Sequence, residues 1–347
     1  MSPLKEDAIK IIIAAIPGVV ALVLACINYI VTKKNQERLE TFKATLAEQK
    51  ADKDAFRDYK YEARKRLYQE IEPLFFQLGE ASEQALHRIY GLARTARAGD
   101  LRQEDGWLSR EGYYAISTMY KLILPIAIIK VIQQRLTLVD LAVDPDINAQ
   151  YILAKGLYIS FTDDFVFANM EPLLPYDPNR KDWMEKRADH PEKYTRQGIP
   201  LGHLDNAADA LIKHEGPGQW VTFGDFYAMY KNKIPEVYEK FDPIATVILY
   251  HHPKTRPVFW RMLVTQAHIY QALLRCREMH MRPAADVKPL MLPIETEGRS
   301  QFDWRHSEEV VTEREAQVDP FEIARQYLHK RMGELFLPPD WKSEINS

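Results

Sequence analysis

Asp163 and Asp164 stand side by side at the end of an apolar stretch, and adjacent carboxylates on a helix can hold a divalent cation on a phosphorylated substrate. An Asp-Asp-x-x-Asp run would complete such a site, but Phe167 occupies the fifth place, so a cap or a surface ion pair is the simpler reading. Cys276 and His280 are four residues apart and share a helix face, with His268 further back along the same segment and Met279 beside them. Thiolate and imidazole at this spacing suit zinc, yet a structural site needs four ligands and no second pair follows. A core cysteine among surface histidines is the plainer expectation. His203, Asp205 and Asp209 open another segment, where acids in a first turn suit the helix dipole without any chemistry. His251 and His252 precede Pro253 at a turn, where adjacent side chains diverge. The candidates are therefore Asp163, Asp164, His203 and His251 for catalysis, and His268, Cys276 and His280 for metal.

A fourth pattern is basic and aromatic. Phe56 to Tyr68 interleaves aromatic rings with arginines and lysines, a combination that binds phosphates or anionic lipid. Asp58 and Glu62 dilute its charge, which favours a solvated helix face. No Walker A loop, dinucleotide glycine fingerprint, His-Glu-x-x-His, Cys-x-x-Cys or Gly-x-Ser-x-Gly elbow occurs. Nucleotide hydrolysis, zincin and esterase chemistry lose their usual signatures, and no cofactor is expected. The net charge of −3 supplies no global basic field, so nucleic acid is not an expected partner. Cys26 and Cys276 cannot build a disulfide framework, which agrees with a reducing compartment.

These residues must be positioned by helices. The chain is 46% hydrophobic and 27% charged, a globular composition, and its 14 glycines are few for folds built on tight turns. From Lys33 to about Arg97 the sequence reads as helix, rich in Ala, Leu, Glu, Lys and Arg, with Pro73 bending or restarting it. Residues 111–141 predict a central core helix. Lys121 and Lys130 bracket only eight apolar residues there, far short of the ~20 a membrane span requires. Asp144-Pro145 ends that helix, and 146–169 follows, with Tyr158, Phe161 and Phe165 facing inward. Five prolines between 171 and 202 mark an irregular connection with one short helix at 181–189. Beyond it, helices are expected at 203–215, 222–241, 256–281 and 319–335, with 245–250 helical rather than a strand. Asp242-Pro243 and Asp319-Pro320 both look like an N-cap followed by an N1 proline.

Upstream of all this, Ile11 to Val31 carries no charge over 21 residues. As a helix it is about 32 Å long at ~1.5 Å per residue, matching a ~30 Å hydrocarbon core. Twelve of these residues are Ile, Leu or Val, which sum to roughly −5 kcal/mol on insertion scales and outweigh Asn28 and a kink at Pro17-Gly18. Lys5 and Lys10 precede the segment, while Lys33, Lys34, Arg38, Lys43 and Lys50 follow it, an imbalance that places the trailing side in the cytoplasm.

The sequence therefore predicts an all-α protein with a single N-terminal transmembrane helix, a long charged helix and a multi-helix soluble bundle. Its expected divisions are a short tail (1–10), the span (11–31), a charged stalk (32–70), a helical core (71–170), the proline-rich connection (171–202), a second helical part (203–335) and a C-terminal tail (336–347). In the stalk, a heptad frame through Leu39, Phe42, Leu46 and Phe56 is interrupted by Gln49, Lys53 and Lys60. It serves either as a solvated spacer or as a coiled-coil self-association surface. The leading functional expectation is a membrane-tethered interaction protein, a sensor, recruiter or effector, whose partners are the membrane through 11–31 and a protein or second copy. The alternatives are a membrane-anchored enzyme or ligand-binding protein with a site assembled from dispersed Asp and His residues, and a structural subunit of a membrane assembly.

Overall fold

The computed structural model describes residues 3–98, 107–136, 140–174, 176, 197–213, 219–249, 251, 256–281 and 320–332. Every regular element among them is helical apart from one isolated bridge between Ile212 and Trp220. The chain divides into two compact units, Met1–Ala63 and Arg64–Ser347.

The first unit is helix alone. Helix α1 runs Pro3–Glu70, 68 residues, or roughly 100 Å at ~1.5 Å per residue. Pro17 lies inside it without ending it. Every described side chain from Ile16 to Lys53 is exposed, including the apolar run to Val31 and then Leu39, Phe42 and Leu46. Among the described residues this segment is long and apolar enough to cross a membrane, and none of its apolar window is buried within the protein.

The second unit begins with the last turns of α1. Arg64 Nε donates to the Val143 carbonyl at 2.9 Å, Tyr68 donates to Asp144 at 2.7 Å, and Leu67 is fully buried. The helix breaks at Ile71 and restarts as α2, Glu72–Arg97, because the ring of Pro73 has no room for the carbonyl four residues back. The break expected at this proline is therefore present, and it costs little. Ile71 still donates to Leu67, and Leu74 and Phe75 donate back to Ile71.

Helix α3, Tyr113–Leu136, is the apolar core helix, buried from Ala115 to Ile132 apart from Lys121, Leu124 and Lys130. A short 3-10 turn, Leu141–Val143, leads to α4, Pro145–Ser160. Asp144 caps α4 by accepting from the Asp146 and Ile147 N–H groups, with Pro145 at the first position. The expected 146–169 helix is two pieces. The chain turns at Phe161 and restarts as α5, Asp164–Ala168, and this break shifts the phase so that Phe165 is 45% exposed rather than inward.

Helices α6 (Leu201–Ala210), α7 (Phe223–Lys231) and α8 (Pro235–Leu249) pack around α3. The single helix expected at 222–241 is split at Asn232 to Ile234, where Lys233 takes a positive φ of 54°. Asp242-Pro243 does not start a helix. Pro243 sits inside α8, because Val237, Phe241, Ile244, Ala245 and Ile248 keep one buried face running through it. Helix α9, Pro257–Met281, is central, with unbroken burial from Arg256 to Ala267, and packs on α2, α4, α5 and α10, Pro320–Met332. The expected helix at 181–189 and the tail at 336–347 lie outside the described residues.

Candidate functional site

The densest set of buried polar groups gathers where α5 and the start of α9 meet. Arg261, one turn into α9, is 1% exposed. Its Nη1 donates to the carbonyls of Phe167 at 2.8 Å and Met170 at 3.1 Å, and its Nη2 to that of Pro172 at 2.7 Å. One guanidinium thus serves the open carbonyl end of α5 and the turn that follows it, adding to the Asn169 and Met170 N–H groups that also reach the Phe167 carbonyl.

Asp164, fully buried, accepts from the Tyr176 hydroxyl at 2.6 Å, from the Gly198 N–H at 3.2 Å and from its own neighbour Phe165 N–H at 3.1 Å. Position 198 must be glycine for this approach, since a Cβ there would lie 2.6 Å from the Asp164 carboxyl carbon. Tyr176 in turn accepts from the Gln197 N–H at 2.8 Å. The Gln197 side-chain oxygen then accepts from the Val258 and Phe259 N–H groups at 2.9 and 3.2 Å, capping the start of α9. His251 is buried beside this cap, stacked on Trp260 and edge-on to Phe259.

Asp163 turns the other way. Arg331 of α10 grips it with two bonds at 2.7 and 2.6 Å, and the Tyr327 hydroxyl donates to it at 2.8 Å. Burial and the adjacent Asp163 carboxylate raise the Tyr327 hydroxyl far above its ordinary pKa, so it stays a donor. The side-chain hydrogen bond to Asp163 likewise raises Arg331. The two aspartates therefore do not converge on one point. One fastens α10, the other holds Tyr176 and Gly198.

No family model, curated protein or solved structure matches this chain. Its chemistry must be read from its own residues.

His203 is exposed on α6, apart from the aspartate pair. Its neighbours Asp205 and Asp209 bind Lys130 of α3 at 3.5 and 2.8 Å, and Tyr158 donates to Asp205. Burial, then that hydrogen bond and the two carboxylates, push the Tyr158 hydroxyl up. His268 lies half-buried on α9, and the backbones of Cys276 and His280 continue that helix, while their side chains lie outside the described residues, as does His252. Among the described residues no three His, Cys, Asp or Glu side chains gather at metal-binding distance. Of the sequence candidates, the structure brings His251 close to the Asp164–Gln197 chain through α9 and leaves His203 and His268 elsewhere.

Sequence reasoning overlooked Arg261, Gln197, Gly198, Tyr327 and Arg331. Arg261 carried a readable signal. It is the only charge between Pro257 and Leu274, and a lone arginine in an apolar helix face is kept only when buried acceptors await it. Gln197 and Gly198 had none, since their partners are distant in sequence.

Proposed function

We propose that this chain is a membrane-tethered helical interaction protein: residues 11–31 cross the bilayer once, and the helical unit beginning at Arg64 works on the cytosolic side by engaging a protein partner or a second copy. The observation that carries this reading is the exposure of the apolar run in α1. Side chains from Ile16 to Val31 have no protein cover, and about half of each large one faces outward, Val20 at 50% and Leu22 at 68%. An uncovered apolar helix of this length has its natural cover in lipid. The excess of lysine and arginine after the segment supports the cytosolic assignment. Exposed Leu39, Phe42, Leu46 and Phe56 leave a discontinuous apolar seam available for self-association above the membrane. The buried polar network fits this role as a brace for the body, since its donors and acceptors are spent on one another.

The test uses the native thiol Cys26, which falls within the proposed span. In intact membranes the protein should remain in the pellet after an alkaline carbonate wash, and Cys26 should resist a water-soluble maleimide until detergent is added. Release by carbonate, together with rapid labelling of Cys26 before detergent, would rule out the span.

A further inference from the structure

Helices α2 and α3 bring two cations to neighbouring turns of α3, Arg88 at Ser117 and Lys121 four residues on, with no carboxylate paired to either among the described residues. Arg88 of α2 lies with its guanidinium 4.2 Å from the centre of the Tyr114 ring, and its Nη2 donates to the Ser117 hydroxyl at 2.9 Å. Ser117 is 1% exposed and spends its own proton on the Tyr114 carbonyl at 3.0 Å, so its oxygen is committed to receiving Arg88. The guanidinium is therefore held in one plane by a ring and a buried hydroxyl, with its remaining donors uncommitted among the described residues. Lys121 lies one turn beyond Ser117 and is partly buried. Its ammonium is pushed below the ordinary lysine value by burial first, and then by Arg88. Among the described residues neither cation forms an ion pair, in contrast to Lys130, which sits on the same helix between two aspartates. Trp107 packs edge-on against Tyr114 at 5.7 Å and stands open beside the pair.

Two like charges held together at a partly dry surface oppose each other, and a dianion reverses the sign of that interaction. A fixed guanidinium fork next to a point-charge ammonium is the donor set that a phosphate oxygen array takes up, and one carboxylate would leave half the charge unmatched. We propose that Arg88 and Lys121, positioned by Tyr114 and Ser117, form a binding site for a phosphate group, either free phosphate and its small esters or the phosphomonoester headgroup of an anionic lipid.

The full chain in phosphatidylcholine nanodiscs is dialysed against radiolabelled inorganic phosphate, and Lys121 acylation is followed by mass spectrometry with and without phosphate. Saturable binding is expected, with Lys121 protected. Arg88→Gln and Lys121→Met should each weaken binding about tenfold or more, the loss of a charge-assisted hydrogen bond, while Lys121→Arg keeps it. Lys121→Met removes a repulsion without removing a hydrogen bond found among the described residues, so its melting in phosphate-free buffer should not fall, and the wild-type protection readout needs no variant. In a parallel arm without phosphate, nanodiscs containing phosphatidic acid protect Lys121 if the lipid headgroup is the source. Protection there but not by free phosphate assigns the site to lipid, and the reverse assigns it to a soluble ligand. Absence of protection in both arms, or phosphate binding that survives Arg88→Gln/Lys121→Met, overturns the proposal.

Discussion

Two helices of this protein are equally apolar by hydropathy and long enough to cross a bilayer, yet they meet opposite fates. No residue of the apolar window of α1 is buried within the protein, whereas 83% of the window in α3 is buried among other helices. Length and hydropathy do not separate them. What separates them is the placement of charge and the company each finds. In α3, Lys121 and Lys130 bound the apolar run on opposite sides of the helix, and Lys130 is tied to Asp205 and Asp209. In α1 no charge interrupts residues 11–31, and charge is confined to the flanks. Charge therefore stands within the buried helix on its sides, whereas in the proposed span it stands only at the ends.

The sharpest way to break this comparison is to place the same carboxylate in both helices. Ile123→Asp in α3, at a fully buried site, should cost the body roughly 4 kcal/mol or more and abolish cooperative melting by circular dichroism. Val23→Asp in α1 should leave the melting of the body unchanged and instead weaken membrane retention by about 3 kcal/mol in insertion terms, seen on carbonate fractionation. Equal loss of body stability from both substitutions would erase the distinction.

A smaller effect is expected at the buried polar network, which belongs wholly to the second unit. Arg261→Met should lower stability by about 3 kcal/mol, since the Phe167, Met170 and Pro172 carbonyls each lose a hydrogen bond from a buried charge. Gly198→Ala should lower it by about 2 kcal/mol through collision with Asp164. Urea titration should show both without any change in membrane retention.

The smallest effect is a pH dependence at Asp144. Burial pushes its pKa upward, but hydrogen bonds from Tyr68 and from the Ile147 and Asp146 N–H groups, with Arg64 nearby, outweigh burial and hold it below the usual carboxylate value. A depressed folded-state pKa contributes stability above the unfolded value near ~4, lost as the pH falls through the folded value. Melting curves of wild type and Asp144→Ala should therefore differ by about 1 kcal/mol near neutrality, the usual worth of such a cap, and converge in acid. A gap that stays constant with pH would show that the carboxylate charge contributes nothing.

The features that were legible in the sequence are local ones. The core helix at 111–141, the restart at Pro73, the Asp144-Pro145 boundary and the helix at 256–281 all rest on residues within a turn of one another. Asp242-Pro243 misled for a physical reason: the same dipeptide starts a helix in isolation, but α8 already had a start at Pro235 and a buried face to continue. Phe165 misled because the turn at Phe161 resets which side faces in. The aspartate pair was visible as a pair, while its opposite allegiances, one to Arg331 and one to Gly198, depend on contacts more than thirty residues away. Lys121 was read from sequence as a bracket of the core helix, and its pairing with Arg88 emerges only once α2 lies beside α3.

The cap of α9 carries a kinetic consequence. Asp144 caps α4 from the adjoining position, so that cap can form as soon as its helix does. Gln197 caps α9 from 61 and 62 residues away. The first turn of α9 can therefore be finished only after contacts distant in sequence have closed, a non-local step that delays folding. In refolding experiments followed by pulsed hydrogen exchange, the amides of Ile147 and Asp146 should gain protection early and those of Val258 and Phe259 late, with Gln197→Ala removing the late event.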